Sequence, residues 1–111
     1  MKVMSDAAFG EVANYFRVLA EPLRLKILNA LRSGDLNVGQ VCAAVNSSQA
    51  NVSKHLQILL EAGLVARRPQ GTSAIYSIAD PFIFTLCEQV CDRLAERLQA
   101  EATLRASLFR P

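Results

Sequence analysis

Asn37-Val-Gly-Gln-Val-Cys-Ala-Ala-Val-Asn46-Ser-Ser-Gln-Ala-Asn-Val-Ser-Lys-His-Leu-Gln-Ile-Leu-Leu60 is the stretch that decides the fold. Val38, Val41, Cys42 and Val45 recur at helical spacing after Asn37, predicting a helix of about two turns that stops in Asn46-Ser47-Ser48. A second helix follows, capped by Ser47 or Ser48. Val52, Leu56, Leu59 and Leu60 form its buried face and Gly63 its C-terminal stop. Two helices joined by so short a turn make a helix-turn-helix.

Upstream, Phe9, Val12, Ala13, Phe16 and Leu19 mark one face of a helix from Asp6 to Leu19. Glu21-Pro22 opens a further helix carrying Leu23, Ile27, Leu28 and Leu31, which ends in Ser33-Gly34-Asp35. Downstream, Leu64 to Arg68 and Ser73 to Ile78 read as strands flanking a turn at Pro69-Gln70-Gly71-Thr72. Asp80-Pro81 is then expected as the N-cap and first position of a long helix to about Ser107. Its stripe runs through Ile83, Leu86, Cys87, Val90, Cys91, Leu94 and Leu98. The expected class is mainly α with a small β-hairpin, in the order α-α-α-α-β-β-α, as a single domain over residues 1–111.

The chain has 111 residues, 51% apolar, with 12 basic and 10 acidic groups. That length excludes a second sizeable core. No apolar run is long enough for a membrane helix, and the N-terminus lacks the apolar stretch of a signal peptide, so a soluble cytoplasmic protein with no membrane partner is expected. Three cysteines are too few for a disulfide framework and are expected as reduced thiols.

On a helical wheel Ala50, Lys54 and Gln57 lie opposite the apolar face of the fourth helix, with Asn51 and Ser53 on its flanks. This outer face is acid-free until Glu61. Amides and hydroxyls can pair with base edges, and Lys54 with the free N–H groups at the Ser48 cap suits phosphates. Between Leu36 and Ala79 the bases Lys54, Arg67 and Arg68 face one acid, Glu61. Arg67, Arg68, Gln70 and Thr72 would line a hairpin wing beside the helix, with strand alternation turning one arginine of the pair toward DNA.

Leu19-Ala-Glu-Pro-Leu-Arg-Leu-Lys-Ile-Leu28, Ser48-Gln-Ala-Asn-Val-Ser-Lys-His-Leu56, Leu60-Glu-Ala-Gly-Leu-Val65 and the hairpin ending in Tyr76 resemble the ArsR/SmtB-type (arsenic-repressor) winged helix-turn-helix transcription factors over roughly Phe16 to Ile78. The resemblance implies a homodimeric repressor, joined through its terminal helices, with a recognition helix in each major groove of a palindromic double-stranded operator. It also places Gln49, Ala50, Ser53, Lys54 and His55 at DNA. Independently, a chain this small cannot cover both its first and last helices, which a second copy would bury.

In this family the release signal is often a thiophilic metal, a metalloid or a reactive sulfur species. Cys87 and Cys91, four residues apart on one helical face, could supply two thiolates to As(III), another thiophilic ion or an oxidant, with Cys42 as a third. Packing on the apolar stripe explains the same cysteines without chemistry. The family's Cys-x-Cys would fall near Asn37 to Gly39, which hold no thiol, and the last helix lacks the Asp/His set of the zinc-sensing branch. DNA binding itself needs no cofactor.

His55 is the only histidine, and neither a hydrolase triad nor a nucleotide-binding glycine loop is present, so no enzyme is expected. Cys87 and Cys91 lack the Cys-x-x-Cys spacing of thiol oxidoreductases. Two alternatives stay open: a winged-helix module that binds protein, and a repressor independent of its cysteines.

Overall fold

Each helix forms where apolar spacing meets a cap. In the computed structural model, which describes residues 4–110, α1 spans Asp6–Leu19, α2 Pro22–Arg32, α3 Val38–Val45, α4 Gln49–Glu61 and α5 Phe82–Ser107. Ser5 Oγ accepts from Ala8 N at the start of α1, and the Glu21 side chain accepts from Arg24 N where Pro22 opens α2. Asn37 and Gln40 exchange side chain-to-backbone hydrogen bonds in a capping box that starts α3.

The strands are β1 (Leu36–Asn37), β2 (Val65–Gln70) and β3 (Ser73–Ile78), in an antiparallel sheet of order β1-β3-β2. Two details differ from the expected hairpin. Pro69 and Gln70 belong to β2, leaving Gly71-Thr72 as the turn, with Gly71 at φ 61°. A glycine at positive φ followed by an ordinary residue is the pattern of a type II′ turn. In addition, Leu36 pairs with Tyr76 and Asn37 with Ile75, so β3 is a central strand. Adjacent Ile75 and Tyr76 are both buried although their side chains leave opposite faces, and α2 and α3 pack on this strand.

The chain divides into two compact units, one ending at Asp80 and one beginning at Pro81. In the first, α2 packs on α3, α4 and β3, and α4 on α3 and β2. Ile27, Leu28, Leu31, Val41, Val52, Leu56, Leu59 and Leu64 form the core. Each such aliphatic side chain contributes about 1.5–3 kcal/mol relative to exposure. α1 joins α2 and buries Val18 and Leu19 in its last turn, while Phe9, Val12 and Phe16 remain 48%, 40% and 53% exposed. Of the apolar face read in the sequence, Leu19 is buried, whereas Phe9, Val12 and Phe16 are left uncovered among the described residues.

The second unit is α5, 26 residues and about 39 Å long. It begins one residue later than expected, with Pro81 rather than Asp80 at the N-cap. Val90, Leu94, Leu98 and Leu104 stand exposed along it. Among the described residues no helix is long and apolar enough to cross a membrane. Five helices with this small antiparallel sheet make the winged helix-turn-helix.

Candidate nucleic-acid interface

The turn between α3 and α4 is built from polar side chains that close backbone groups. Asn46 adopts the left-handed conformation (φ 54°) that ends α3, and its N–H and that of Ser47 both donate to the Cys42 carbonyl. Ser48 is the N-cap of α4, its Oγ accepting from Asn51 N at 3.2 Å. At the other end Gly63, at φ 76°, places Gly63 N–H on the Leu60 carbonyl and Leu64 N–H on the Leu59 carbonyl at 3.0 Å. This is a Schellman motif, and its partners Leu59 and Leu64 are both buried. α4 is therefore held at both ends as well as along its Val52-Leu56-Leu59 face.

That anchoring leaves Ser48, Gln49, Ala50, Asn51, Ser53, Lys54 and Gln57 exposed on α4. They are not equally available. Asn51 Nδ2 donates to Ser47 Oγ at 3.1 Å, and Gln57 Nε2 donates to Glu61 Oε1 at 3.1 Å. Gln49, Ala50, Ser53 and Lys54 form an exposed, acid-free group at the amino-terminal end of the helix, where free N–H groups and the positive end of the helix dipole favour anions.

His55 departs from this face. It is 8% exposed, and its Nδ1 lies 3.1 Å from Nη1 of Arg24 on α2. Arg24 also donates from Nε to the Val18 carbonyl at 2.6 Å and from Nη2 to the Arg17 carbonyl at 3.3 Å. Sequence reasoning gave Arg24 no role, because a contact between residues 31 apart leaves no periodic signal.

In the wing, Arg67 pairs with Tyr76 and Arg68 with Ile75 across β2 and β3, so the two arginines leave opposite faces. Arg68 Nη1 meets Asp35 Oδ2 at 2.8 Å. Asp35 lay one residue outside the stretch counted above, so the local basic excess is smaller than that count suggested. Arg67 forms no ion pair among the described residues. Gln70 and Thr72 are exposed at the tip, where the Gln70 carbonyl accepts from Ser73 Oγ.

Cys42 is half-buried on α3. On α5, Cys87 is half-buried and Cys91 exposed. Burial first, and then the neighbouring Cys91, push the Cys87 thiol above its ordinary pKa. Among the described residues no group of three or more His, Cys, Asp or Glu side chains is arranged to hold a metal ion. The α5 thiols thus amount to a pair, short of the four ligands of a closed zinc site.

Comparison with known proteins bears on this arrangement. The profile described as "Bacterial regulatory protein, arsR family" matches residues 21–67. The "Transcriptional repressor SmtB homolog" of Synechocystis sp. is 37% identical over 86% of this chain and 72% of its own length. The crystal structure of the AntR antimony-specific transcriptional repressor superposes with a TM-score of 0.75 at 34% identity, over 89% of this chain and 90% of that one. The solution structure of a homodimeric winged helix-turn-helix DNA-binding domain, Mb0332 from Mycobacterium bovis, does so with a TM-score of 0.73 at 33% identity, over 87% and 95%. These relatives are regulators, not enzymes, and with its capped α3–α4 pair and three-stranded wing the chain belongs to the ArsR family of bacterial winged helix-turn-helix transcriptional regulators.

Proposed function

We propose that this protein is a homodimeric transcriptional repressor that reads a palindromic double-stranded DNA operator with α4 and flanks it with the β2–β3 wing. The observation that carries this reading is the doubly capped α4, whose amino-terminal face presents Gln49, Ala50, Ser53 and Lys54 with no acid among them. Lys54 and the N–H groups after Ser48 serve as phosphate donors, Gln49 and Ser53 as base-edge partners, and Arg67 as the wing cation. Asn51 keeps an amide oxygen for DNA while its nitrogen is held by Ser47, and Ser48, Gln57, Arg68, Gln70 and Thr72 flank this set. His55 contributes from the core, by orienting the helix.

Dimerisation is supported by the exposed Phe9, Val12 and Phe16 of α1 and the exposed Val90, Leu94 and Leu98 of α5, and by the homodimeric state of the Mycobacterium bovis neighbour. Burying two such faces against a second copy removes the apolar surface that a monomer leaves in water.

The release signal in this reading is a thiophilic metal or metalloid, As(III) among them, or a reactive sulfur species or other oxidant, acting at Cys87 and Cys91. An antimony-specific relative makes a soft, thiolate-seeking ion the first candidate. In one chain Cys87 and Cys91 supply two ligands, and Cys42 is the remaining thiol. When bound, the ion would replace two thiol protons by bonds on α5.

Fluorescence anisotropy of the reduced protein on a duplex from its own upstream region tests the reading. Lys54→Ala should weaken operator and unrelated duplexes alike and lower the salt slope by about one. Gln49→Ala should weaken the operator selectively, by about 1–3 kcal/mol. Binding insensitive to salt would instead indicate a protein-binding module. Release of the operator by arsenite, cadmium or a persulfide donor in wild type, lost in Cys87→Ser and Cys91→Ser variants that still repress, supports thiol sensing. Response retained in both variants removes it.

A further inference from the structure

We infer that Arg24 is a positioning residue for DNA reading. Its guanidinium joins the carboxyl end of α1 to His55 of α4 and fixes the angle at which α4 presents Gln49, Ser53 and Lys54. The inference rests on the DNA-binding reading above and adds to it a residue outside the presented face.

Three side-chain contacts carry it. Nε and Nη2 donate to the carbonyls of Val18 and Arg17, in the last turn of α1. The Arg17 carbonyl also accepts from Ala20 N–H at 3.2 Å, so Nε on the Val18 carbonyl is the stronger of the two contacts, and a cation at this helix end is favoured by the helix dipole. With those two contacts made, the planar fork directs Nη1 at His55 Nδ1, 3.1 Å away. Arg24 itself is held at the start of α2, its backbone N–H donating to Glu21 Oε2 at 3.1 Å.

Arginine has only donors, so Nδ1 of His55 must accept, and the neutral ring carries its proton on Nε2. His55 stands between Lys54 on the presented face and Leu56 in the core, so its ring position fixes the rotation of α4 about its own axis. Apolar packing of Val52, Leu56 and Leu59 is tolerant of small rotations, because dispersion contacts are not directional. A hydrogen bond between a rigid fork and a buried ring is directional. Base-edge recognition needs that precision, whereas phosphate attraction does not.

The test uses Arg24→Lys, His55→Leu and His55→Asn in the full chain, with operator and unrelated duplexes by anisotropy, far-ultraviolet circular dichroism and urea unfolding. Lysine keeps the charge but cannot span three acceptors. Asparagine restores an acceptor, Oδ1, at the same number of bonds from Cα as Nδ1.

Arg24→Lys and His55→Leu should each weaken the operator about tenfold with unchanged helix content, and should change binding to the unrelated duplex less than twofold. His55→Asn should return operator affinity to within about threefold of wild type, and Arg24→Lys with His55→Leu should be no worse than the weaker single variant. Wild-type operator affinity in both Arg24→Lys and His55→Leu overturns the inference, as does equal loss on both duplexes or failure of His55→Asn to recover binding. If Arg24→Lys does not fold, the two His55 variants decide. A wild-type protein that binds no duplex at all overturns the DNA-binding reading instead, an outcome distinguishable from the others.

Discussion

Asp35 Oδ2 receives Arg68 Nη1 at 2.8 Å, tying β2 of the wing to the turn before β1. The two side chains are 44% and 57% exposed, so the pair contributes little to stability, of order 0–1 kcal/mol. Its larger effect is on charge, because it neutralises one of the two wing arginines.

Asp35→Asn should therefore release Arg68 and raise the basic charge of the wing by one. The expected result is duplex binding tightened a few-fold at low salt, with a salt slope steeper by up to about one and an unfolding midpoint nearly unchanged. Anisotropy titrations across a salt series check this. An unchanged slope would place Arg68 away from the phosphates.

Both ends of α4 are open to a stability test. Ser48→Ala removes the acceptor for Asn51 N and should cost about 1 kcal/mol. At Gly63 nothing lies within 4 Å of an added Cβ, so Gly63→Ala meets no neighbour, and its expected cost of about 1–2 kcal/mol is that of the positive φ alone. Thermal unfolding should show each as a fall of several degrees. A neutral Gly63→Ala would mean that α4 ends in another way.

The exposed faces of α1 and α5 predict assembly. Phe16→Glu with Leu98→Glu should give a monomer by analytical ultracentrifugation at concentrations where wild type is a dimer. Helix content should stay nearly unchanged, since both residues are already exposed. Operator affinity should fall by more than tenfold, because one half-site then binds without the other. A variant that stays dimeric removes these two faces from the interface.

Cys87 carries a pH prediction with a definite sign. Raising a thiol pKa lowers its thiolate fraction at any given pH, so iodoacetamide labelling of Cys87 should reach half-maximal rate at a pH above that of an ordinary exposed thiol, as followed by mass spectrometry. Binding of a thiophilic ion should release protons and strengthen as pH rises. Residues four apart on a helix have Cβ atoms about 5–6 Å apart, against about 3.5–4.5 Å in a disulfide. Diamide should thus fail to close a Cys87–Cys91 disulfide while α5 stays helical, which peptide mapping of the oxidised protein checks.

Much of the molecule was legible in its amino-acid order, because the relevant signals are local. The α3–α4 pair follows from apolar spacing interrupted by Asn46-Ser47-Ser48 and stopped by Gly63, each of which satisfies backbone groups within a few residues. The acid-free face at Gln49 to Lys54 follows from the same helical period. So does the outward apolar face of α1, whose excess over what so small a chain can cover already suggested a second copy.

What tertiary structure alone decided involves partners distant in sequence. Strand β1 is two residues long, too short for a periodic pattern, and exists because β3 offers it an unpaired edge. Arg68 is held by Asp35, 33 residues away, and His55 is buried against Arg24, 31 residues away. A helical wheel gives the angle of a side chain about its own axis, whereas the group that meets it there is set by the packing of other elements. For that reason the sequence by itself determined the helix-turn-helix and its polar face, and the fold decided which of those polar groups remain available.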